Sequence, residues 1–509
     1  MGPSILVVML ALLGNGSVSA EAPPTADMIR KRIAAAAGTP PKIMTMVVTY
    51  DRHGTRGRRT MFRIGDDVRS TIEEAPFAYQ YGEFEKQAWH QNENGQTVLD
   101  QADAGLAKTD TITTTIVPIV VPVVGYLISS LNSAGFGSRE YVEAATSHVV
   151  RADEVGSSET TTRTYDDFRT VDGETRAWHW NVRDGHVEND GEFRISSIAH
   201  DTRATDVEIP QPRRPLVQFP AGVSTLALPV QLRGGKFSVR LSIQGRGLDF
   251  LLDTGASGIV IDEDVVRQLG LSTYGRYSSG VNAGRYVGGS VLVPSVKIGD
   301  LSMTDVAMDT TPHMRESDDE FQGGVKPVGL LGFDFIAALG LKLDYEHGEV
   351  TAYDGNAFVP PTTPHTIALD IRLGSQQPRV DVTINGALGE RFIIDTGAPA
   401  PLLLFDYFQR RHPEALVDRG GGGNARFLRF YGVGGNFQTV PYQLDSVRLG
   451  SAEFKGTLAY AVRSRTSYGG AQDGLIGVQF LELFNVYLNY ADSRIYLEPN
   501  AFGRSASRR

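Results

Sequence analysis

The fold of this chain is decided by the segment DFLLDTGA at residues 249–256, which recurs as RFIIDTGA at residues 391–398. In both copies an apolar run leads directly into Asp-Thr-Gly. This pattern places the aspartate at the end of a buried strand, where the chain enters a tight loop. A single Asp-Thr-Gly occurs in many unrelated turns, but two at matching places in one chain indicate a duplicated unit.

Further landmarks repeat in the same order, offset by about 140 residues. They are VRLSI at 239–243 and VDVTI at 380–384, SVKIGDL at 295–301 and SVRLGSA at 446–452, and GLLGFDF at 329–335 and GLIGVQF at 474–480. Each copy closes with two alternating segments that predict a hairpin, 341–345 with 350–353 and 486–490 with 494–497. The repeat predicts two tandem units, residues 216–359 and 360–500, after a first unit at 21–215. A disordered Ser/Arg-rich tail is predicted at 501–509.

The two loops carry residue types suited to a tight, locked conformation. Gly255 and Gly397 allow a backbone conformation that a Cβ atom would forbid. The hydroxyl groups of Thr254 and Thr396 can hydrogen-bond across a local two-fold axis and lock the loops. The later Leu-Leu-Gly and Leu-Ile-Gly segments predict an apolar strand beneath each loop.

A pseudo-two-fold axis between the units would bring Asp253 and Asp395 to one interface. Two carboxylates that are close together cannot both ionise readily, so the pair would share a proton. The ionised member can act as a base on a water molecule, while the protonated member donates to a carbonyl oxygen. This arrangement predicts hydrolysis of a peptide bond without a cofactor.

Residues from about 225 to 500 resemble aspartic proteases of the retropepsin and pepsin type, especially the bacterial retropepsin-like proteins. The resemblance implies a mainly β fold, with two tandem lobes forming a bilobal protease whose active site lies within one chain. It implies that Asp253 and Asp395 are catalytic and that Ser257 hydrogen-bonds the outer oxygen of Asp253. Pro399 occupies the position that matches Ser257 and has no hydroxyl group. The pair of aspartates is therefore expected to be asymmetric. The implied partner is a peptide or protein substrate.

Glycine-rich segments stand at equivalent places in the two units, GRYVGG at 284–289 and YGVGGN at 431–436. They could form mobile hairpins that cover a peptide in an extended cleft. The alternative is a pair of ordinary surface hairpins. The residues predicted for the flaps are Tyr286, Gly288, Gly289, Tyr431, Gly434 and Gly435.

The first unit is predicted to be mostly β, with a short helix at 26–36 before its strands. The segment at 165–173 is similar to segments of periplasmic lipoprotein-carrier-like domains, which are half-barrels that hold hydrophobic ligands. This resemblance implies an α+β, half-barrel-like domain with a hydrophobic ligand; substrate binding and an inhibitory prosegment are the other hypotheses. Residues 111–138 carry no charge, but prolines and a glycine interrupt them. We expect a buried or ligand-facing segment there and no membrane span.

The N-terminus and the composition limit the location and the partners. Residues 1–20 combine an apolar stretch with small residues before Glu21, which predicts a signal peptide and a periplasmic or secreted protein. The chain has no cysteine, which excludes disulfides and zinc–thiolate sites. A formal net charge of −10 argues against a nucleic-acid partner. The alternative to a protease is a non-catalytic envelope protein that binds peptides or lipids and retains the protease fold.

Overall fold

Four β-sheets dominate the computed structural model, which describes residues 24–100, 112–132, 135–156, 159–213, 215–281, 284–312, 314, 326–374, 376–416, 428–432, 435–463 and 472–506. The prediction of a mainly β protein with two tandem lobes is confirmed. The predicted signal peptide, residues 1–20, lies outside the described residues, as does Gly434. No helix in these ranges is long and apolar enough to cross a membrane.

The N-terminal unit is built on one antiparallel sheet, which has thirteen strands among the described residues. Its order is β6-β5-β4-β3-β2-β1-β13-β12-β11-β10-β9-β8-β7. The sheet therefore consists of a first meander, β1 to β6, and a second meander, β7 to β13, which meet where β1 pairs with β13. The strands are β1 (Ile43–Arg52), β2 (Thr55–Ile64), β3 (Asp67–Glu74), β4 (Phe77–Phe84), β5 (Gln87–Gln91), β6 (Thr97–Asp100), β7 (Thr113–Ile119), β8 (Gly125–Leu131), β9 (Gly137–Glu143), β10 (Val149–Val155), β11 (Thr160–Val171), β12 (Glu174–Arg183) and β13 (Gly191–Ala199).

A helix packs on this sheet, at the place where the sequence predicts one. Helix α1 (Ala26–Ala37) begins after Thr25, whose hydroxyl accepts the N–H of Met28 at 3.3 Å. Its buried residue Ile29 packs with Ile128 of β8 and Val142 of β9. The helix therefore covers an apolar region of the second meander.

The two lobes repeat one sheet topology. Lobe 1 has the order β15-β16-β17-β22-β18-β21-β20-β19, and lobe 2 has the order β26-β27-β32-β28-β31-β30-β29. The lobe 1 strands are β15 (Val230–Arg233), β16 (Lys236–Ile243), β17 (Arg246–Leu252), β18 (Ile259–Asp262), β19 (Thr273–Val281), β20 (Gly284–Ile298), β21 (Leu301–Thr311) and β22 (Gly329–Leu331). The lobe 2 strands are β26 (Arg379–Ile384), β27 (Ala387–Ile394), β28 (Leu402–Leu404), β29 (Leu428–Gly432), β30 (Gly435–Leu449), β31 (Ala452–Val462) and β32 (Gly474–Ile476). In lobe 2 the described residues have a single antiparallel bridge, Arg372 with Arg379, where lobe 1 has the pairing of β15 with β16.

A sheet of six strands joins the lobes, in the order β14-β24-β23-β33-β34-β25. Its strands are β14 (Thr225–Ala227), β23 (Gly340–Asp344), β24 (Glu349–Tyr353), β25 (Ile367–Asp370), β33 (Phe484–Asn489) and β34 (Arg494–Pro499). Both predicted closing hairpins are confirmed as β23–β24 and β33–β34. They also pair with each other, with Leu341 opposite Leu488, which gives the sheet its two-fold arrangement. Both lobes consequently share one apolar core.

Short helices complete the described part of the lobes: α2 (Glu263–Gln268), α3 (Phe333–Ile336), α4 (Asp406–Arg411), α5 (Val478–Leu481) and α6 (Ala501–Ala506). The last of these corrects the predicted disorder of the tail for residues 501–506. The side chain of Asn500 accepts the N–H of Gly503 at 3.1 Å, and Glu346 accepts the N–H of Ala501 at 3.0 Å. These bonds satisfy free N–H groups at the helix start, which composition alone did not predict.

The apolar region at 111–138 also differs from its prediction. Its described part forms the hairpin β7–β8, and β7 is an edge strand of the thirteen-stranded sheet. Val120 and Val121 at the hairpin tip are each 76% exposed. The expectation of a buried segment is therefore wrong for the tip, because neighbouring strands cover only the base of the hairpin.

Candidate active site

The two Asp-Thr-Gly loops emerge from β17 and β27, which are inner strands of the lobe sheets. The N–H of Asp253 donates to the carbonyl oxygen of Leu331 at 3.1 Å, and that of Asp395 donates to Ile476 at 2.8 Å. Leu331 ends β22 and Ile476 ends β32, and each of these strands runs parallel to the strand that carries the aspartate. Each loop is thus attached to the Leu-Leu-Gly or Leu-Ile-Gly segment of its own lobe.

The loop and its supporting segment approach each other closely, and this requires the glycine that ends each Leu-Leu-Gly or Leu-Ile-Gly segment. A Cβ atom on Gly332 would lie 2.3 Å from the carbonyl oxygen of Gly258. A Cβ atom on Gly477 would lie 2.2 Å from the carbonyl oxygen of Ala400. Any side chain here would push the Asp-Thr-Gly loop away from its supporting strand.

Thr254 and Thr396 link the loops to each other. The N–H of Thr254 donates to the hydroxyl of Thr396 at 3.0 Å, and the N–H of Thr396 donates to the hydroxyl of Thr254 at 3.0 Å. Each hydroxyl in turn donates across the axis, Thr254 to the carbonyl oxygen of Ile394 at 2.6 Å and Thr396 to that of Leu252 at 2.8 Å. Both side chains are 1% exposed, so these four bonds are shielded from water.

Each catalytic candidate lies over the glycine of the opposite loop. A Cβ atom on Gly255 would lie 2.6 Å from the carboxyl carbon of Asp395. A Cβ atom on Gly397 would lie 2.6 Å from Oδ2 of Asp253. The two carboxyl groups consequently meet within hydrogen-bonding reach of each other.

The two carboxyl groups differ in their surroundings. Among the residues that the structure describes, Oδ1 of Asp395 accepts two N–H groups, those of Gly397 at 2.8 Å and Ala398 at 3.0 Å, whereas Oδ1 of Asp253 accepts one, that of Gly255 at 2.8 Å. Burial raises the pKa of both groups, and the negative charge of Asp395 raises the pKa of Asp253 further. The additional N–H bond favours the ionised form at Asp395 over that at Asp253.

A buried lysine affects both aspartates. The positive charge of Lys236, which is 6% exposed, lowers the pKa of Asp253 and of Asp395, although burial has the larger effect. The equivalent residue of lobe 2 is Gln377, whose amide donates to the carbonyl oxygen of Gly255. The sequence analysis missed Lys236 because a single lysine after two glycines forms no motif. Aligning the repeats places it opposite Gln377 and could have identified it.

Ser257 does not occupy its predicted position. In the part of the chain described here, Asp253 receives no hydrogen bond from it. The serine lines a neighbouring cavity of about 200 Å³ with Asp309 and Asp334. The asymmetry of the aspartates instead follows from the additional N–H of Ala398 that Asp395 accepts.

Both predicted flap segments are hairpins. In lobe 1, β19 pairs with β20 so that Tyr286 lies opposite Ser279 and Gly288 lies opposite Tyr277. A Cβ atom on Gly288 would lie 2.0 Å from the carbonyl oxygen of Thr310, so this glycine lies where the hairpin packs on β21. Gly289, whose N–H donates to the hydroxyl of Thr310 at 2.9 Å, is next to it. In lobe 2, β29 pairs with β30, with Tyr431 opposite Asn436 and Gly432 opposite Gly435.

The N-terminal unit holds the lobe 1 hairpin, a contact that the sequence did not predict. The side chain of Asn189 bonds both to the N–H of Ser278 at 2.8 Å and to its carbonyl oxygen at 2.9 Å. Glu159 forms an ion pair with Arg285 on β20. The first unit therefore contacts the element that would cover a substrate.

A second contact lies beside the catalytic loop of lobe 1. The amide of Asn92 donates to Oδ1 of Asp334 at 2.5 Å, and that of Asn94 donates to Oδ2 at 2.8 Å. Asp334 follows Gly332 by two residues, so this contact is close to the support of the Asp253 loop. Burial raises the pKa of Asp334 to about 8, although the hydrogen bond from Asn94 opposes this shift.

The described residues offer no group of three acidic or histidine side chains that could hold a metal ion.

Comparison with known proteins supports the predicted resemblance. Residues 239–335, which contain the first Asp-Thr-Gly loop and the Leu-Leu-Gly segment, match the family model for an aspartyl protease. Among solved structures, the chain is similar to the aspartic proteinase from Irpex lacteus, at 13% identity and a TM-score of 0.34 over 56% of this chain and 100% of that chain. Basic 7S globulin from soybean matches at 12% identity and a TM-score of 0.33 over 56% and 97%. No curated protein matches the chain.

Proposed function

We propose that the chain is an aspartic endopeptidase, with Asp253 and Asp395 as its catalytic residues, and the match of residues 239–335 to the family model for an aspartyl protease supports this. The observation that carries the proposal is the meeting of two buried carboxyl groups, each above the glycine of the opposite loop. A merely structural aspartate would not need a second carboxyl group within hydrogen-bonding reach, because the pair costs free energy when both ionise.

The difference in hydrogen bonding between the two carboxyl groups indicates which acts as the base and which as the acid. Asp395, which accepts two N–H groups, is ionised and takes a proton from a water molecule between the two carboxyl groups. Asp253 gives its proton to the oxygen of the scissile carbonyl as the water attacks. The resulting diol collapses when Asp395 gives the proton from water to the nitrogen and Asp253 takes a proton from a diol hydroxyl. The C–N bond breaks, an amine and a carboxylic acid leave, and both aspartates return to their starting states.

The test is cleavage of a peptide library by the full chain across a range of pH, read by mass spectrometry. We expect Asp253→Asn and Asp395→Asn each to lower the cleavage rate by about 10²-fold to 10⁴-fold, the usual contribution of a positioned acid or base. Asp300→Asn, an exposed change on lobe 1, is the matched control and should retain the wild-type rate. Equal cleavage by all three variants would reject Asp253 and Asp395 as the catalytic residues. No cleavage by the wild-type chain at any pH would reject the peptidase and favour a non-catalytic binding protein.

A second candidate function concerns the N-terminal unit. A concavity of about 590 Å³ lies between α1 and the sheet. Its walls include the apolar side chains of Ile33, Met46, Phe168 and Trp180 and the charged side chains of Glu140, Glu174 and Arg176. These walls suit a hydrophobic ligand more than a charged one. Quenching of tryptophan fluorescence by a brominated fatty acid, reduced in Trp180→Ala, would support binding there, and quenching unchanged in that variant would argue against it.

The third part of the proposal is export to the periplasm or the medium, for which the apolar stretch and small residues of 1–20 are the support. Sequencing of the N-terminus of the protein from the envelope should start at Glu21. A protein that is found in the cytoplasm and still begins with Met1 would contradict export.

A further inference from the structure

An exposed apolar finger projects from the N-terminal sheet. We define the finger as the tip of the β7–β8 hairpin, residues 117–124. Val120 and Val121 are each 76% exposed, Val124 is 69% exposed and Val117 is 51% exposed. Single exposed apolar residues are normal on protein surfaces, but four exposed valines within eight residues form a patch.

The finger has a rigid base and a free tip. Ile128 of β8 is fully buried in the cluster that holds α1, and Ile116 and Tyr126 pack against this cluster. A Cβ atom on Gly125 would lie 1.8 Å from the carbonyl oxygen of Val142, so the chain is tightly packed where the finger leaves the sheet. Its apolar tip is thus presented to solvent by a supported hairpin.

The finger also lacks charge. Residues 111–138 contain no Asp, Glu, Lys or Arg, although the chain as a whole has 108 such residues among 509. Exposed edge strands normally carry charged residues that oppose association. The absence of charge would favour contact with an environment in which a charged group is costly.

The prolines of the hairpin favour lipid over a protein strand as the occupant. Pro118 lies within the edge strand β7, and Pro122 lies in the tip. Proline provides no N–H group and obstructs the addition of a further strand to a sheet edge. A partner strand would have to form hydrogen bonds with the backbone, which the prolines hinder. Lipid chains form no backbone hydrogen bonds, so the aliphatic surface of the finger suits lipid better than a strand.

We propose that the finger inserts its valine tip into the surface of a lipid bilayer and attaches the protein to it as a peripheral protein. The attachment arises from burial of aliphatic side chains and does not require anionic lipid. It does not depend on the proposed peptidase activity, because the finger lies on a separate sheet from the two aspartates.

The experiment is flotation of the full chain with vesicles of neutral phosphatidylcholine. We expect the wild-type protein to float with the vesicles at both low and high salt. Val120→Asp/Val121→Asp should reduce the bound fraction by about tenfold or more, since each change places a charge where an aliphatic side chain would enter the lipid. Val120→Leu/Val121→Leu should bind at least as well as the wild type.

The matched control is Val187→Asp/Val359→Asp, because these valines are 78% and 75% exposed but lie elsewhere on the chain. It should float as the wild type does, and circular dichroism should show that all variants are folded. Absence of the wild-type protein from the vesicle fraction would overturn the proposal, as would equal loss in the control. A wild-type dimer in sedimentation velocity that the Val120→Asp/Val121→Asp change converts to a monomer, without any flotation, would assign the finger to a second copy and also overturn it.

Discussion

Thr254 and Thr396 each accept the backbone N–H of the other at 3.0 Å, through hydroxyl groups that donate in turn to the opposite lobe. This reciprocity fixes the two loops relative to each other. It also makes the position of each aspartate depend on both lobes, because the threonines are the next residues in the chain.

We predict that Thr254→Val lowers the free energy of unfolding by about 1–3 kcal/mol, because it leaves the buried N–H of Thr396 without its acceptor. Thr254→Ser keeps the hydroxyl group and should cost less. Urea unfolding of the two variants measures the difference. Equal stability of the valine and serine variants would show that the bonds across the axis contribute nothing.

Gly397→Ala should damage activity more than stability. The new Cβ atom would lie 2.6 Å from Oδ2 of Asp253, so the carboxyl group has to move away from Asp395. We expect kcat to fall by about 10²-fold, since small displacements of reacting groups cost this much. Gly355→Ala, where no atom lies within 4 Å of the new Cβ, is the control. Unchanged kcat in Gly397→Ala would contradict the assigned geometry.

Lys236→Gln should move the pH profile of hydrolysis towards higher pH. The lysine charge lowers the pKa of both aspartates, so its removal raises both pKa values. The rising limb and the falling limb of the plot of activity against pH should therefore both move to higher pH. Glutamine is the residue that lobe 2 has at the equivalent position, Gln377. Lys297→Gln, on the exposed side of β20, should leave the profile in place. A shift towards lower pH in Lys236→Gln would show that the lysine does not act through its charge.

Asp334 should make stability depend on pH. Burial raises its pKa from 3.8 to about 8 in the folded protein, so its protonated form is favoured by folding. Its contribution is complete below about pH 4 and is lost as pH rises towards 8. Asp334→Asn should therefore reduce the fall in melting temperature between these values, relative to Asp300→Asn. A steeper fall in Asp334→Asn would contradict the sign of the shift.

The sequence was sufficient to predict the lobes because the repeat itself contains the information. Apolar strands before Asp-Thr-Gly, glycines after Leu-Leu and Leu-Ile, and closing hairpins all have local patterns. The pairing of Leu341 with Leu488 was not predictable in this way, because it joins strands from different copies. The flap function of the two hairpins and the catalytic function of the aspartates remain predictions.

Other features had no sequence pattern that could predict them. The contact of Asn189 with Ser278 joins residues 89 positions apart and uses a residue type common in turns. The exposure of the valine finger was missed because an apolar run reads as buried whether or not neighbouring strands cover it. The prediction that Ser257 bonds to Asp253 came from family resemblance, whereas in the structure Ser257 lines the cavity beside Asp334.

The central claim is that Asp253 and Asp395 share one proton during peptide hydrolysis, and the pH dependence of kcat/KM tests it most directly. We predict a bell-shaped profile for the wild-type protein, which rises as one carboxyl group ionises and falls as the second proton leaves. Asp253→Asn should remove this profile together with the activity. A wild-type profile with a single limb, or an Asp253→Asn variant with the wild-type profile, would contradict the claim.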